Sequence, residues 1–386
     1  MTTHRIPFVS CFLCLFVLAC GDLSPCSAQD KDAWKYAPEE LQPFWNSKIM
    51  LREPVLFVHD SESKEARGTM LYPIEKVIAV HNSAGDVTYE EGRDYRFVPR
   101  TREITIPVGS RIVTKSPEDL RRPAGSQKYA LTHRDGNGEI LFGAKLEYHD
   151  MQTCVTYQKA TDDWDVAMPS FDPALLPVTI AKLRQGEPVS IVLLGDSIST
   201  GCNASGWAKG PPHQPAYPEL VRLHLQNQYN SDVELTNLSV GGTSTPWGIS
   251  MIDEVVRNKP DLVMLAFGMN DSAGRSAEEY GKNTAIMIEK TREALPEAEF
   301  ILIASMLGNR NWTRLNHDAF ASYRDQLKLL SQPKIAIADL TSVWDGFLER
   351  KQDWDLTGNG VNHPNDFGHR VYAQVILSRL TEPSTR

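Results

Sequence analysis

The first candidate for chemistry in this sequence is Ser197. It ends the segment IVLLGDS at 191–197, which begins with four apolar residues. The first four residues of the segment are branched and apolar, which predicts a strand buried on both faces of a sheet. Gly195 lets the backbone turn sharply after that strand. A hydroxyl at the carboxyl end of such a strand lies where open α/β sheets bind ligands, so Ser197 is a candidate nucleophile. Gly-Asp-Ser is also a common turn, and the motif alone does not establish catalysis.

Three further stretches follow predicted strands or precede the final predicted helix, and they are Asn237 to Gly242, Gly268 to Asp271 and Asn362 to Asp366. Because the carboxyl ends of parallel strands meet at one edge of a sheet, we expect these stretches to lie near Ser197. They would contribute backbone N–H groups at Gly242, a side-chain amide at Asn270 and an imidazole at His363. A nucleophile, a base and preorganised oxyanion donors are the groups that acyl transfer requires.

In this order and strand context, the four blocks resemble the SGNH (GDSL-type) hydrolase superfamily over about residues 188–381. The resemblance implies that Ser197 is the nucleophile and that His363 takes and returns its proton. It also implies an oxyanion hole made of the backbone N–H groups of Ser197 and Gly242 and the side-chain amide of Asn270. The implied activity is that of a carboxylic ester hydrolase. No metal-ligand cluster or phosphate-binding glycine loop is evident in the sequence, so no cofactor is expected.

The residue that orients the catalytic histidine is the point at which this sequence departs from the family pattern. The family usually has an aspartate three residues before its histidine, and Gly360 occupies that position here. Asp355 is the nearest upstream carboxylate and could fold toward His363. Asn359 carries no charge, but its side-chain carbonyl could still orient the ring. A third alternative is that a main-chain carbonyl orients the imidazole and that no acid takes part.

From residue 189 onward, strand-like and helix-like patterns alternate, which predicts a parallel sheet with crossover helices. The predicted strands are Val189 to Leu194, Val233 to Leu238, Leu262 to Phe267, Phe300 to Ala304 and Ile335 to Ala338. The predicted helices are Pro218 to Tyr229, Gly248 to Asn258, Ser276 to Leu295, His317 to Leu330 and Asp366 to Leu380. Five parallel strands with right-handed crossovers give a three-layer, flavodoxin-like α/β domain over residues 189–381.

Residues 30–150 are predicted to form an all-β sandwich of the jelly-roll type, because short β-type runs alternate with turns. The runs are Val55 to His59, Lys76 to His81, Asp94 to Val98, Glu103 to Val108 and Leu141 to Tyr148. Two roles for this domain stay open: it binds or shapes a sugar substrate, or it only packs against its neighbour. Residues 151–188 are predicted to be a linker, with an extended proline-containing run from Pro169 to Pro177 and a short helix from Thr179 to Arg184.

The first 28 residues are typical of an export signal. Arg5 precedes the almost wholly apolar stretch Ile6 to Ala19, which is too short to span a membrane. Cleavage after Ala28 would release a secreted or periplasmic protein, and a lipobox-like ending would instead leave a lipid on Cys20. Plain secretion is the favoured alternative.

Charge and cysteine content set further bounds on the protein. The formal net charge of -9 argues against nucleic acid or an anionic membrane as the main partner. Only Cys154 and Cys202 would remain after cleavage of the signal, and an oxidising compartment would permit a disulfide between them. Two free thiols are the favoured alternative.

Tryptophans on the predicted loops suggest a substrate class. Trp207, Trp247 and Trp312 lie on loops at the edge that carries Ser197, where exposed rings would suit sugars, although packing in the core is the alternative. Modular layouts of a sandwich with this type of hydrolase domain resemble carbohydrate esterases. We therefore expect an exported serine esterase that removes O-acyl groups, most simply O-acetyl groups, from carbohydrate. A lipid or thioester acylhydrolase and a non-catalytic glycan-binding protein of the same fold are the alternatives.

Overall fold

The structure is a computed structural model that describes residues 34–59, 65–168 and 170–382. The export signal predicted over residues 1–28, with its alternative lipid site at Cys20, lies outside the described residues. Within the described ranges, no helix has the length and apolar character needed to cross a membrane.

The N-terminal region consists of short strands that form small sheets. The strands are β1 (Ile49–Val55), β2 (Phe57–Val58), β3 (Ala66–Thr69), β4 (Ile74–Asn82), β5 (Arg96–Phe97), β6 (Glu103–Ile106), β7 (Thr114–Lys115), β8 (Arg121–Arg122), β9 (Glu139–Ile140) and β10 (Thr153–Lys159). One antiparallel sheet has the order β1-β10-β4, a second sheet has the order β5-β6-β3-β2-β7, and β8 pairs with β9. The second sheet is antiparallel except for the parallel pair β2 and β7. The predicted β domain is therefore present.

Two predictions for this region are wrong in detail. Strand β10 lies inside the predicted linker and is the central strand of the first sheet, with side chains that alternate between buried and partly exposed positions. That alternation is the period of a half-buried strand, and the proline-rich run after it obscured the signal. The run predicted as a strand over Leu141 to Tyr148 is instead a loop that leads into helix α1 (Glu147–Met151).

The C-terminal region contains the predicted five-stranded parallel sheet. Its strands are β11 (Val189–Gly195), β12 (Val233–Asn237), β13 (Leu262–Ala266), β14 (Glu299–Ala304) and β15 (Ile335–Asp339), in the order β12-β11-β13-β14-β15. Ile191 and Leu193 pack into one core cluster, and Val192 and Leu194 pack into another. Both faces of β11 are therefore covered, as expected for a parallel sheet.

Helices cover both faces of this sheet and give the predicted three layers. They are α2 (Pro177–Gln185), α3 (Ser205–Ala208), α4 (Tyr217–Tyr229), α5 (Thr245–Ser250), α6 (Ile252–Arg257), α7 (Ala277–Ala294), α8 (Asp318–Leu329), α9 (Leu340–Leu348), α10 (Asp353–Leu356) and α11 (Asp366–Leu377). Helices α2, α4, α9 and α11 contribute to one core cluster, and α6, α7 and α8 contribute to the other. The predicted helix Gly248 to Asn258 is thus two short helices, α5 and α6, and α9 was not predicted.

A buried ion pair joins the two regions. Lys351 Nζ lies 2.8 Å from Glu53 Oε1, and neither side chain is exposed to solvent. Glu53 also accepts hydrogen bonds from the Tyr157 hydroxyl and the Leu71 backbone N–H, so its buried charge is well satisfied. The β region and the α/β region also share one apolar core cluster. The N-terminal β region and the C-terminal α/β region therefore pack together into one body.

Candidate active site

The predicted nucleophile lies just after the carboxyl end of β11, where close contact with the neighbouring strand β13 requires glycine at residue 195. A Cβ atom on Gly195 would lie 2.6 Å from the carbonyl oxygen of Ala266, which is too close for any other residue. The carboxylate of Asp196 accepts the backbone N–H of Ile198 at 2.9 Å and so stabilises the turn. Asp196 is 2% exposed, and its burial raises its pKa to about 7. This turn presents Ser197 at the edge of the sheet.

The structure brings His363 to Ser197. The Nε2 atom of His363 lies 2.9 Å from Ser197 Oγ, within hydrogen-bond distance. His363 lies just before helix α11. Asn365 is the N-cap of this helix, and the Asn365 side chain accepts the backbone N–H of Gly368. These contacts fix the start of the helix beside the histidine.

The other ring nitrogen of His363 has a partner that the sequence analysis did not identify. Asn203 Oδ1 lies 2.8 Å from His363 Nδ1. Asn203 Nδ2 donates to the backbone carbonyl oxygens of Gly358 at 3.0 Å and Lys145 at 3.3 Å. Because carbonyl oxygens only accept, the amide nitrogen must face them and Oδ1 must face the ring. Nδ1 therefore carries the hydrogen, and Nε2 is left with a lone pair that faces the serine hydroxyl.

The backbone around Asn203 is shaped for this contact. Asn203 has a φ of 66°, in the left-handed region that asparagine tolerates better than most residues, and it is 8% exposed. A Cβ atom on Gly358 would lie 2.6 Å from the Cβ of Asn203. Glycine at 358 thus lets the loop before His363 approach Asn203 closely enough for the hydrogen bonds of Asn203 with Gly358 and His363.

The two side chains that the sequence suggested for orienting His363 have other partners. Asp355 is 3% exposed, and its two carboxylate oxygens accept the backbone N–H groups of Leu56 at 2.8 Å and Gln352 at 3.0 Å. Asp355 therefore caps α10 and ties it to the β region. The prediction that Asp355 orients the ring does not fit this geometry.

Asn359 is fully buried and also acts on the backbone. Its Oδ1 accepts the N–H groups of Val361, Asn362 and His363, so it shapes the loop and does not bond to the imidazole ring. The third alternative, a main-chain carbonyl, does not fit either, because the partner of Nδ1 is a side-chain oxygen. The only sequence signal for Asn203 was its position six residues after Ser197.

The predicted oxyanion donors line the same cleft as Ser197. Asn270 Nδ2 donates one hydrogen to the carbonyl oxygen of Thr243 at 2.8 Å, which fixes the amide and leaves its second hydrogen available. Gly242 has a φ of 81°, which explains the need for glycine there. A Cβ atom on the preceding residue, Gly241, would lie 3.5 Å from Ser197 Cβ, so this glycine loop packs directly against the nucleophile.

A cleft of 580 Å³ contains these groups. Its lining includes Ser197, Asn203, Gly242, Asn270 and His363, together with Tyr129, Leu131, Phe142, Lys145, Cys202, Trp207, Trp312, Arg314 and Asn362. The lining residues from 129 to 145 belong to the N-terminal region, which therefore forms part of the cleft wall.

Two of the three tryptophans named from the sequence lie in this cleft. Trp207 is 48% exposed, and Tyr129 on the wall from the β region is 49% exposed. Trp312 Nε1 donates to the carbonyl oxygen of Ala130 at 3.3 Å, which holds its ring in place. Trp247 instead packs edge-on against Phe267 and takes no part in the cleft lining.

Burial keeps the histidine neutral. It lowers the pKa of His363 to about 4, because the low-dielectric surroundings disfavour the imidazolium form. Its hydrogen-bond partner Asn203 carries no charge and so does not counteract this effect. At neutral pH the ring is able to accept a proton from Ser197.

Neither a disulfide nor a metal cluster occurs among the described residues. Cys154 and Cys202 are both free thiols, so the disulfide alternative is wrong. Burial raises the pKa of the Cys202 thiol, which makes it a poor nucleophile in the cleft. In the described ranges, no three His, Cys, Asp or Glu side chains come together in a way that could hold a metal ion.

Comparisons with known proteins give one family match and several similar structures. Residues 193–371 match the model of a family described as GDSL-like lipase/acylhydrolase. A two-domain esterase active on acetylated mannans is similar at 18% identity and a TM-score of 0.45, over 57% of this chain and 57% of that chain. A variant of an acetyl xylan esterase from Geobacillus stearothermophilus is similar at 17% identity and a TM-score of 0.43, over 51% of this chain and 97% of that chain. The search of curated proteins finds no match to this sequence.

Proposed function

We propose that this chain, whose residues 193–371 match the model of the GDSL-like lipase/acylhydrolase family, is a serine esterase that removes O-acetyl groups from carbohydrate. The observation that carries the proposal is the hydrogen-bonded chain from Ser197 through His363 to Asn203. A non-catalytic glycan-binding protein would not need these hydrogen bonds between Ser197, His363 and Asn203. Nor would it need a histidine whose burial keeps it neutral.

The first step is attack of Ser197 Oγ on the ester carbonyl carbon. His363 Nε2 accepts the hydroxyl proton as the oxygen–carbon bond forms, and the resulting oxyanion is held by the backbone N–H groups of Ser197 and Gly242 and by the Asn270 amide. The imidazolium then gives its proton to the leaving alcohol oxygen as the ester bond breaks. The product of this half-reaction is the free alcohol and an acyl group on Ser197.

Water completes the reaction by the reverse proton path. His363 Nε2 accepts a proton from a water molecule that attacks the acyl carbonyl, and it returns the proton to Ser197 Oγ as the acid leaves. Throughout the cycle, Asn203 Oδ1 accepts the hydrogen on His363 Nδ1. That bond keeps the ring in one tautomer and one orientation, which makes Asn203 a positioning residue.

The side chains that line the cleft favour an ester substrate whose alcohol is a carbohydrate. Tyr129 and Trp207 expose about half of their surface, and flat aromatic faces with nearby polar groups suit the apolar faces and hydroxyls of sugar rings. The cleft also contains the polar or charged side chains of Lys145, Arg314 and Asn362. A long acyl chain would have to bury methylene groups beside those side chains, which disfavours the lipid or thioester acylhydrolase alternative.

Acetate release distinguishes these alternatives. We expect the protein to hydrolyse p-nitrophenyl acetate faster than longer-chain esters and to release acetate from an acetylated polysaccharide. Preference for long acyl chains would support the lipid alternative. Binding of the polysaccharide without turnover of any ester would support the glycan-binding alternative.

The proposed place of action is outside the cytoplasm, because residues 1–28 have the charge and apolar pattern of an export signal. The N-terminal residue of the mature protein tests this. We expect it to be Gln29, and a lipid-modified Cys20 would instead support an anchored protein.

A further inference from the structure

A second groove, of 630 Å³, shares Arg314 with the active-site cleft. We call it the arginine groove, and it is lined by Arg134, Arg310, Arg314, His317, Asp318 and Asp345 with the small or polar residues Ser272, Ala273, Gly274, Thr313, Leu315 and Asn316. Three guanidinium groups outnumber the two carboxylates. Burial lowers the pKa of His317, so its ring is neutral at neutral pH and adds no charge.

The loop that carries two of these arginines is held in place from both sides. Asn309 donates its backbone N–H to the Val361 carbonyl oxygen at 2.7 Å, which ties the loop to the segment before His363. On the other side, the backbone N–H of Arg134 donates to the Asn311 carbonyl oxygen at 2.7 Å, and that of Thr313 donates to the Thr132 carbonyl oxygen at 3.1 Å. A ligand that binds there need not order the backbone first.

Arg134 strengthens this arrangement. Its guanidinium donates to the backbone carbonyl oxygens of Arg310 at 3.0 Å, Trp312 at 3.2 Å and Leu315 at 3.1 Å. Arg134 thus has a structural role in the loop. The two other arginines of the groove are the ones available for a ligand.

Arg310 and Arg314 are both exposed, and among the described residues neither side chain makes a hydrogen bond or an ion pair. Asp353 lies near enough to interact with Arg310, but burial raises the pKa of Asp353 to about 7, so it is only partly ionised at neutral pH. In a protein with a formal net charge of -9, these two unpaired guanidinium groups lie on a fixed loop, and one of them, Arg314, also lines the cleft that contains Ser197.

We propose that Arg310 and Arg314 bind a carboxylate on the same polysaccharide whose acetyl ester reacts at Ser197. The guanidinium fork matches a carboxylate with two parallel hydrogen bonds. Because Arg314 lines both the arginine groove and the active-site cleft, one polysaccharide chain can occupy both. The substrate class is then an acetylated acidic polysaccharide, one that contains uronic acid residues. This inference rests on the proposed esterase function and adds the charge of the substrate to it.

A pair of matched polymers tests the inference. Polygalacturonate and its carboxyl-reduced, uncharged form are each acetylated to the same degree, and kcat/KM for acetate release is measured for both. We expect the wild-type protein to prefer the acidic polymer by about fivefold at low salt, the size of one exposed charge-assisted contact. The preference should disappear near 1 M salt, where the Debye length is about 3 Å.

Substitutions locate the effect. The double variant Arg310→Gln and Arg314→Gln should lower the acidic-to-neutral ratio to about one, whereas the exposed Arg96→Gln, which lines neither groove, should leave the ratio unchanged. Equal wild-type rates on the two polymers, or a ratio unaffected by the double variant, would overturn the inference. Failure of the wild type to release acetate from either polymer would instead count against the proposed function.

Discussion

Asn203 Oδ1 and His363 Nδ1 lie 2.8 Å apart, although the two residues are separated by 160 positions in the chain. A neutral amide thus stands where the resemblance led us to expect a carboxylate. An amide oxygen can fix the tautomer and the orientation of the ring, but it supplies no negative charge to stabilise the imidazolium. Asn203 therefore fixes the position of the His363 ring but does not counteract the burial that lowers the pKa of this histidine.

Removal of the Asn203 side chain should lower kcat much more than it raises KM. In Asn203→Ala the ring loses its fixed orientation, and a misplaced catalytic group costs about 10²-fold in rate. Steady-state hydrolysis of p-nitrophenyl acetate measures this. The control is Asn227→Ala, which removes an exposed asparagine whose amide donates to the Leu223 carbonyl oxygen. Equal kcat values for the two variants would contradict the positioning role.

The acid limb of the wild-type pH profile should lie near pH 4. His363 accepts a proton only when neutral, and burial lowers its pKa to about 4 from an ordinary value of about 6.5. Activity should therefore persist as the pH falls through 6.5 and should decline only near 4. The pH dependence of kcat/KM reports this ionisation in the free enzyme, with circular dichroism to establish that the protein stays folded. A limb near 6.5 would contradict the burial argument.

A carboxylate in place of the amide should shift the acid limb upward. In Asn203→Asp the negative charge beside Nδ1 favours the imidazolium, so the pKa of His363 rises and activity is lost at a higher pH than in the wild type. The substitution also removes the two hydrogen bonds to the carbonyl oxygens of Gly358 and Lys145, so the maximal rate should fall. An unchanged acid limb would mean that residue 203 does not act on the ring.

Loss of the Asn270 amide should lower kcat by about 10²–10³-fold, as for other oxyanion donors. The substitution Asn270→Ala also removes the hydrogen bond to Thr243, so a control must lose a similar bond away from the cleft. Asn258→Ala is a suitable control, because the side-chain amide of Asn258 donates to the Glu254 carbonyl oxygen at 2.8 Å. If both variants had the wild-type kcat for p-nitrophenyl acetate, Asn270 would have no part in the oxyanion hole.

Asp355 should matter for stability and not for the chemical step. In Asp355→Ala the buried N–H of Leu56 loses its acceptor, and an unsatisfied buried donor lowers the free energy of unfolding by about 1–3 kcal/mol. Denaturant unfolding measures the loss, and kcat for p-nitrophenyl acetate should remain that of the wild type. A fall in kcat without a fall in stability would restore Asp355 as a candidate acid.

The sequence was informative where a local pattern decides the structure. Apolar runs and helical periods predicted the five parallel strands, and the rule that their carboxyl ends share one edge predicted that Ser197, Asn270 and His363 would meet. The glycine requirement at residue 242 also follows from the turn itself, where φ is 81°. These features depend on short segments, each of which carries its own signal.

The sequence was uninformative where contact with a distant segment determines the position of a side chain. Asn203 reaches His363 because the loop after the nucleophile folds against Gly358, and no spacing along the chain encodes that approach. The side chains near His363 in sequence favour Asp355 and Asn359 as its partners, but the structure gives both of them other partners. For the same reason the part of the cleft wall that includes Tyr129 was not foreseen, since it depends on packing between regions.

Covalent trapping of the nucleophile tests the central claim most directly. Diethyl p-nitrophenyl phosphate transfers a diethylphosphoryl group to an activated serine hydroxyl as p-nitrophenolate leaves. Mass spectrometry of the intact protein and of its peptides should show one added group, located on Ser197, with esterase activity lost in proportion. The variant Ser197→Ala should gain no group and should have no turnover of p-nitrophenyl acetate above background. Labelling at another residue, or full activity in Ser197→Ala, would contradict the account.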